Sequence, residues 1–255
     1  MHLKLTIAYD GTPFCGWQIQ PELDTVQARI EQALADIAKA PIRIHGAGRT
    51  DAGVHALGQV AHFQAPDHLT MNPFNWVPAL NTKLPPSIRI IACDEVPADF
   101  HARYSATAKT YTYHLSLAPI LPPFLATRAW HLPRQLNPDD LGEALSHYLG
   151  SHDFRTFCSN RGNETAETDY VRHLTRADLQ HIPEGYLLTF TGNGFLYKMV
   201  RFLTGAAVQT AQGYLLQDDL YNLVNDPTFT TKRSLLCAPP DGLSLLEVNY
   251  DNLAS

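Results

Sequence analysis

Residues 3–9 alternate, with Leu3, Leu5, Ile7 and Tyr9 on one face, which predicts a half-buried strand. Turn chemistry follows in Asp10-Gly11-Thr12-Pro13. Val26, Ile30, Ala33, Leu34 and Ile37 then recur at helical spacing, with Asp24 as the expected N-cap and Gln27 at the capping-box position. Ile42-Arg43-Ile44 is expected as a short strand leading into a glycine-rich loop, and residues 58–63 return to strand character. Asn72-Pro73 has the form of an N-cap followed by proline in the first helical turn, ahead of Trp76, Val77 and Leu80. A further strand is predicted over 87–96.

From Lys109 to Leu117 the two faces separate cleanly. Tyr111, Tyr113, Leu115 and Leu117 share one side, and Thr110, Thr112, His114 and Ser116 share the other. After a proline-rich connection, Asn137-Pro138 opens a helix with Leu141, Leu145, Tyr148 and Leu149 turned inward. Strands are expected near 171–179 and 186–191, helices over 196–208 and 218–224, and a last strand over 243–250. The first half therefore reads β-α-β-β-α-β, and the second is a comparable mixed run. The expected class is α+β, with two halves of the ferredoxin-like, split-βαβ type. Their strands are expected to form an extended, mostly antiparallel sheet with helices on one face and a central cleft. The halves are drawn as 1–105 and 106–255, and no sequence repeat links them.

Composition narrows the class without naming a function. The chain has 255 residues, 45% hydrophobic and 17% charged, as expected of a globular protein with room for one large core or two smaller ones. No run approaches the ~20 apolar residues of a membrane helix, and residues 1–6 lead straight into a strand pattern without a secretory h-region. No membrane association is expected, and the cytoplasm is the expected location. Cys15, Cys93, Cys158 and Cys237 are too scattered for a zinc ribbon or a redox pair, so free thiols are expected. The net charge of −6 excludes binding of nucleic acid through a whole-molecule positive field, but not a local basic patch.

The chemistry concentrates in His45-Gly46-Ala47-Gly48-Arg49-Thr50-Asp51-Ala52-Gly53-Val54-His55. Here a cation, a hydroxyl and a carboxylate stand between glycines that permit tight turns and close approaches. Two readings stay open on that chemistry alone: Asp51 as a catalytic acid on a rigidly held loop, or Asp51 as a turn residue satisfying backbone N–H groups. Nucleotide loops fit badly. Gly46 and Gly48 lack the Gly-Lys-Ser/Thr of a P-loop, and the third glycine and later acid of the dinucleotide fingerprint are misplaced. His152-Asp153 has no paired histidine set to make a metal site, and no metal is expected.

Gly48 to Ala56, Gly-Arg-Thr-Asp-Ala-Gly-Val-His-Ala, resembles the signature of the TruA family of tRNA pseudouridine synthases. The resemblance continues in order along the chain. It includes Tyr9-Asp10-Gly11, Gly16-Trp17-Gln18, Thr25-Val26-Gln27 and residues 58–63, then Phe100-His101-Ala102-Arg103 and Ala108 to Tyr113. His152-Asp153-Phe154, Gly192 to Arg201 and Pro239-Pro240-Asp241-Gly242-Leu243 complete it. Residues 118–136 and 211–237 match least.

The resemblance implies an isomerase that converts uridine to pseudouridine at positions 38, 39 and 40 of the tRNA anticodon stem-loop, without cofactor, as a homodimer. It makes Asp51 the catalytic nucleophile. Arg201 matches the arginine that pairs with that carboxylate, Tyr111 the tyrosine that packs against the target base, and Arg49 the arginine that helps draw the nucleotide from its stack. Each also has a plainer reading: Arg201 as a surface residue ending a helical turn, Tyr111 as a core aromatic, Arg49 in a salt bridge within its loop. Lys109, Arg155, Arg161, Arg172, Arg176 and Lys198 are candidate phosphate contacts. Two other classes compete. A glycoside hydrolase would need a second carboxylate, which the Asp51 loop lacks, and a non-catalytic RNA-binding module would dispense with Asp51 altogether.

Overall fold

The computed structural model describes residues 1–133, 136–160, 162 and 164–251. Its first elements are β1 (His2–Tyr9), α1 (Val26–Ala38), β2 (His45–Gly46), β3 (His55–Gln64), α2 (Pro73–Asn81) and β4 (Ile88–Glu95). Then come β5 (Ala106–Ser116), β6 (Trp130–His131), α3 (Pro138–Ser146), β7 (Gly150–Asp153), β8 (Val171–Ile182) and β9 (Gly185–Gly192). Helices α4 (Met199–Ala211) and α5 (Gln217–Asn225) and strand β10 (Leu243–Tyr250) complete the chain. The class is α+β, with mostly antiparallel strand pairing. Two compact units divide it: Met1–Lys109 with Ser244–Ser255, and Thr110–Leu243.

In the first unit the strand order is β4-β1-β3-β10, with β2 added to β3. Strand β1 runs antiparallel to β3 and β4, while β10 is parallel to β3, pairing Ser244 with His55 and Leu245 with Ala56. The alternation read from the sequence holds, since Leu3, Leu5 and Ile7 are fully buried. Helix α1 is capped differently from expectation. Thr25 is the N-cap, extended at φ −133°, and its hydroxyl accepts from the Ala28 N–H; the Asp24 carboxylate is taken by Arg29 at 2.6–2.7 Å. Strand 42–44 does not form. The Ile44 N–H donates to Glu31 Oε1 and its carbonyl accepts from Gln27 Nε2, so α1 side chains supply the bonds that a neighbouring strand would have supplied. Asn72 caps α2 as expected, with Trp76 and Leu80 buried.

In the second unit β9 lies between β5 and β8, β7 flanks β8, and β6 pairs parallel with β5. Helix α3 rests on β8 and α4, with Leu141, Leu145 and Tyr148 fully buried. Leu149 is not inward but 43% exposed, because α3 ends at Ser146 and the chain turns before reaching it. Helix α4 starts three residues later than the pattern suggested. Lys198 adopts a left-handed conformation, φ 61°, which an α-helix cannot continue through, so Leu196 to Lys198 form a turn ahead of it.

Candidate active site

Backbone contacts hold the Asp51 loop from several sides within the first unit. The Ala47 N–H donates to the Val60 carbonyl at 2.7 Å, and Lys109 Nζ donates to the Ala47 carbonyl at 2.7 Å. Gln59 Nε2 donates to the Gly48 carbonyl at 3.0 Å. The Thr50 carbonyl accepts from the Trp17 N–H at 3.0 Å, and the Thr50 hydroxyl lies 2.8 Å from the Tyr9 hydroxyl in a buried pair. Burial pushes the Tyr9 phenol up to about 12, with hydrogen bonds from Thr50 and Gln59 opposing it, so the phenol stays protonated at neutral pH.

Gly16 is what lets the two segments meet. It sits at φ +90°, and a Cβ there would stand 2.8 Å from the Thr50 carbonyl oxygen and 3.2 Å from the Ala52 nitrogen. On the other flank Gly11 presses on the Val54 carbonyl, where a Cβ would come within 2.1 Å. The Val54 N–H closes the turn onto the Asp51 carbonyl at 3.1 Å. Asp51 is therefore carried, half-buried, between two points of backbone contact.

Arg49 is exposed, and its Nε donates to Gln18 Oε1 at 3.1 Å. That contact leaves the loop, unlike the internal salt bridge weighed from sequence. It begins a chain of side-chain amides: Gln18 Nε2 donates to Gln27 Oε1 at 2.7 Å, and Gln27 Nε2 to Glu31 Oε1 at 2.9 Å. Gln27, expected in a capping box, instead joins Arg49 to helix α1.

Tyr111 and Arg201 lie in the second unit. Tyr111 is buried, with its ring edge-on to Phe195 at 5.0 Å between centroids. Arg201 is half-buried in the first turn of α4, where its Nε donates to the Ala238 carbonyl at 2.7 Å and its own carbonyl accepts from the Ala238 N–H at 3.0 Å. This reciprocal pair fastens the guanidinium to the strap 236–242. Tyr113 fastens the strap again, its hydroxyl donating to the Pro239 carbonyl at 2.7 Å. Arg201 thus neither ends a helical turn nor stands loose on the surface.

The candidate phosphate contacts fare unevenly. Lys109 is committed to the Asp51 loop, as above. Arg155 grips Asp153 at 2.6 Å, Arg172 lies 3.5 Å from Asp169, and Arg176 lies 2.7 Å from Asp178. Lys198 Nζ stands 5.1 Å from the Tyr197 ring centroid. Arg161 lies outside the described residues. His152 and Asp153 are engaged elsewhere, the former by the Leu149 carbonyl and the latter by Arg155. Among the described residues no group of three or more His, Cys, Asp or Glu could hold a metal ion.

The family profile described as tRNA pseudouridine synthase matches residues 5–105 and 144–251. The chain belongs to the tRNA pseudouridine synthase family. A tRNA pseudouridine synthase A of Akkermansia muciniphila is 48% identical over 251 residues, covering 97% of this chain and 94% of the relative. One of Methylacidiphilum infernorum is 43% identical, again over 97% and 94%. A relative named tRNA pseudouridine synthase A 1, of Protochlamydia amoebophila, is 40% identical over 98% of this chain and 96% of its own. The enzyme is accordingly an isomerase.

For a family member, the supports of the site residues matter as much as the residues, and sequence reading missed several. Tyr9, Thr50 and Gly16 brace the Asp51 loop, and Tyr113 with residues 238–239 braces Arg201. Their motifs stood out as a resemblance, yet no local pattern tells that a strand tyrosine will reach a carbonyl 126 residues away.

Proposed function

We propose that the enzyme converts uridine to pseudouridine at positions 38, 39 and 40 of the tRNA anticodon stem-loop, with Asp51 as the catalytic nucleophile. The observation that supports it most is the seating of Asp51: a carboxylate on a loop immobilised by backbone contact from Gly11 and Gly16, in a chain of this family. The reaction breaks the bond between C1′ and N1, turns the uracil and joins its C5 to C1′; C5 gives up its proton and N1 takes one up, so the product is an isomer and no added reactant is needed. A carboxylate can serve by attacking C1′ or by removing the 2′ proton to give a glycal-type intermediate.

The remaining roles are proposed on the same footing. Arg201 pairs with the carboxylate, Tyr111 packs against the target base, and Arg49 replaces stacking lost when the nucleotide leaves its helix, an extrusion that costs a few kcal/mol. The enzyme works in the cytoplasm as a homodimer, which sedimentation of the purified protein tests directly. Tritium release from tRNA labelled at uracil C5 tests the chemistry. Asp51→Asn should abolish release while tRNA binding persists; release at the wild-type rate would overturn the assignment. Arg201→Leu should lower the rate of release while tRNA binding persists.

A further inference from the structure

A column of rings lies on the first unit and includes His45, whose strand leads into the Asp51 loop. His2 stands on the sheet face opposite Leu3, Leu5 and Ile7, and His62, in register with Lys4, shares that face. The His62 ring stacks on His45 at 5.1 Å and 25°, and meets His101 edge-on at 4.6 Å. His101 is followed by Tyr104, 4.3 Å away and tilted by 36°. Tyr104 ends the column with 75% of its surface exposed, and the Arg103 guanidinium lies 5.5 Å from its ring centroid.

A single exposed tyrosine is ordinary on a protein surface. This one is backed by other rings, flanked by a cation and presented on a segment tied down throughout its length. The Arg103 and Tyr104 N–H groups both point at His101 Nδ1, at 3.1 and 3.4 Å. Ser105 and His101 bond each other twice, His2 Nε2 reaches the Phe100 carbonyl at 2.9 Å, and the Tyr250 hydroxyl donates to the Ala102 carbonyl at 2.7 Å. Beneath, Phe100 and Ala102 sit in a small apolar cluster with Ala47, Val60 and Val96. Such a segment loses little freedom on meeting a ligand. Burial holds the His62 imidazole down at about 4, and burial first, then neighbouring charge including that of Arg103, holds His101 below its ordinary value, so these two rings offer faces rather than positive charge at neutral pH.

We infer that Tyr104 and Arg103 form a nucleotide platform for the substrate RNA: Tyr104 stacks on an unpaired base and Arg103 takes its phosphate. The inference rests on the tRNA reading above. An aromatic face suits any base, while a cation beside it suits the backbone that connects one base to the next. The platform anchors the RNA rather than performing chemistry.

Binding of unmodified tRNA, of a short oligouridylate and of a fully paired RNA duplex separates the possibilities, measured beside tritium release. Tyr104→Ala should weaken tRNA and oligouridylate binding about tenfold and leave the duplex unaffected, with Tyr104→Phe restoring wild-type affinity. Arg103→Gln should reduce the slope of log affinity against log salt by about 0.7, one phosphate contact to a single strand. Both side chains are exposed, so melting temperatures should not move. Unchanged tRNA affinity in a folded Tyr104→Ala enzyme overturns the platform. So does a Tyr104→Ala variant that changes only its sedimentation, which would make the surface a contact between chains. Absence of tritium release from the wild type, with Tyr104-dependent RNA binding intact, would sink the proposed chemistry and leave the platform standing.

Discussion

Asp51 and Arg201 are held by different means. The loop of Asp51 is fixed by backbone against backbone, at Gly16 and Gly11, with a buried Tyr9–Thr50 hydroxyl pair behind it. Arg201 stands on a helix and is fastened by a strap some 35 residues away in sequence, through Ala238 and, at one remove, Tyr113. The first arrangement places a backbone. The second places a side chain through its own Nε and leaves the rest of the guanidinium fork to other partners. The first region should fail abruptly where backbones touch, and the second by degrees as a single hydrogen bond is lost.

The contact most sensitive to breakage is shared by neither loop nor strap alone. Gly205, one turn beyond Arg201, lies so close to the Leu236 carbonyl that a Cβ would come within 1.7 Å of the oxygen. Gly205→Ala must lift the strap off α4 and should cost about 3 kcal/mol, a fall of roughly 6–12 °C in melting temperature for a chain of this size. Calorimetry would show it, and an unchanged melting temperature would mean the strap yields freely. Gly16→Ala is the matching test on the loop. It forces a side chain into φ +90° and against Thr50, at about 2 kcal/mol, and should lower kcat more than tRNA affinity because it displaces the Asp51 backbone. Equal loss of both would remove the distinction between the two regions.

Much of the loop was legible in the sequence because its devices are local. Glycines at 46, 48 and 53, a β-α-β-β-α-β order and the Asn72-Pro73 cap all express themselves within a few residues. The misreadings arose where tertiary partners decided. Asp24 lost the N-cap to Thr25 because Arg29, five residues on, claimed its carboxylate. Residues 42–44 lost their strand because Gln27 and Glu31 reached their backbone first. The strap was legible only as a motif, Pro239 to Leu243: neither it nor Gly205 carries a chemical mark of what it touches, and only the fold puts Ala238 beside Arg201.

Acid should separate the regions next. The strand that leads into the Asp51 loop pairs His45 with His62, and His62 is held at about 4 by burial and by the neighbouring His101, His2 and His45. A histidine depressed below its ordinary 6.5 contributes stability in full above that pH. The contribution is lost as pH falls from 6.5 towards 4, since the unfolded chain takes up the proton first. The loss should reach roughly 1–2 kcal/mol by pH 5. Melting curves between pH 4 and 7.5 should show it, and His62→Gln should flatten the dependence. A slope that survives the substitution would place the acid sensitivity elsewhere.

The smallest effect tests whether the strap positions or merely packs. Burial pushes the Tyr113 phenol well above its ordinary value, against the opposing Arg201 charge, so it remains a donor across the working pH range and its bond to Pro239 is indifferent to acid. Tyr113→Phe removes that donor alone, for about 1 kcal/mol of stability. If the bond orients Arg201 through the adjacent Ala238, kcat should fall several-fold with KM unmoved, in the direction expected for Arg201→Leu but by less. If the strap only fills space, stability will drop and the kinetics will not follow. The comparison would then contract to a single positioned residue, Asp51, with Arg201 held by its helix.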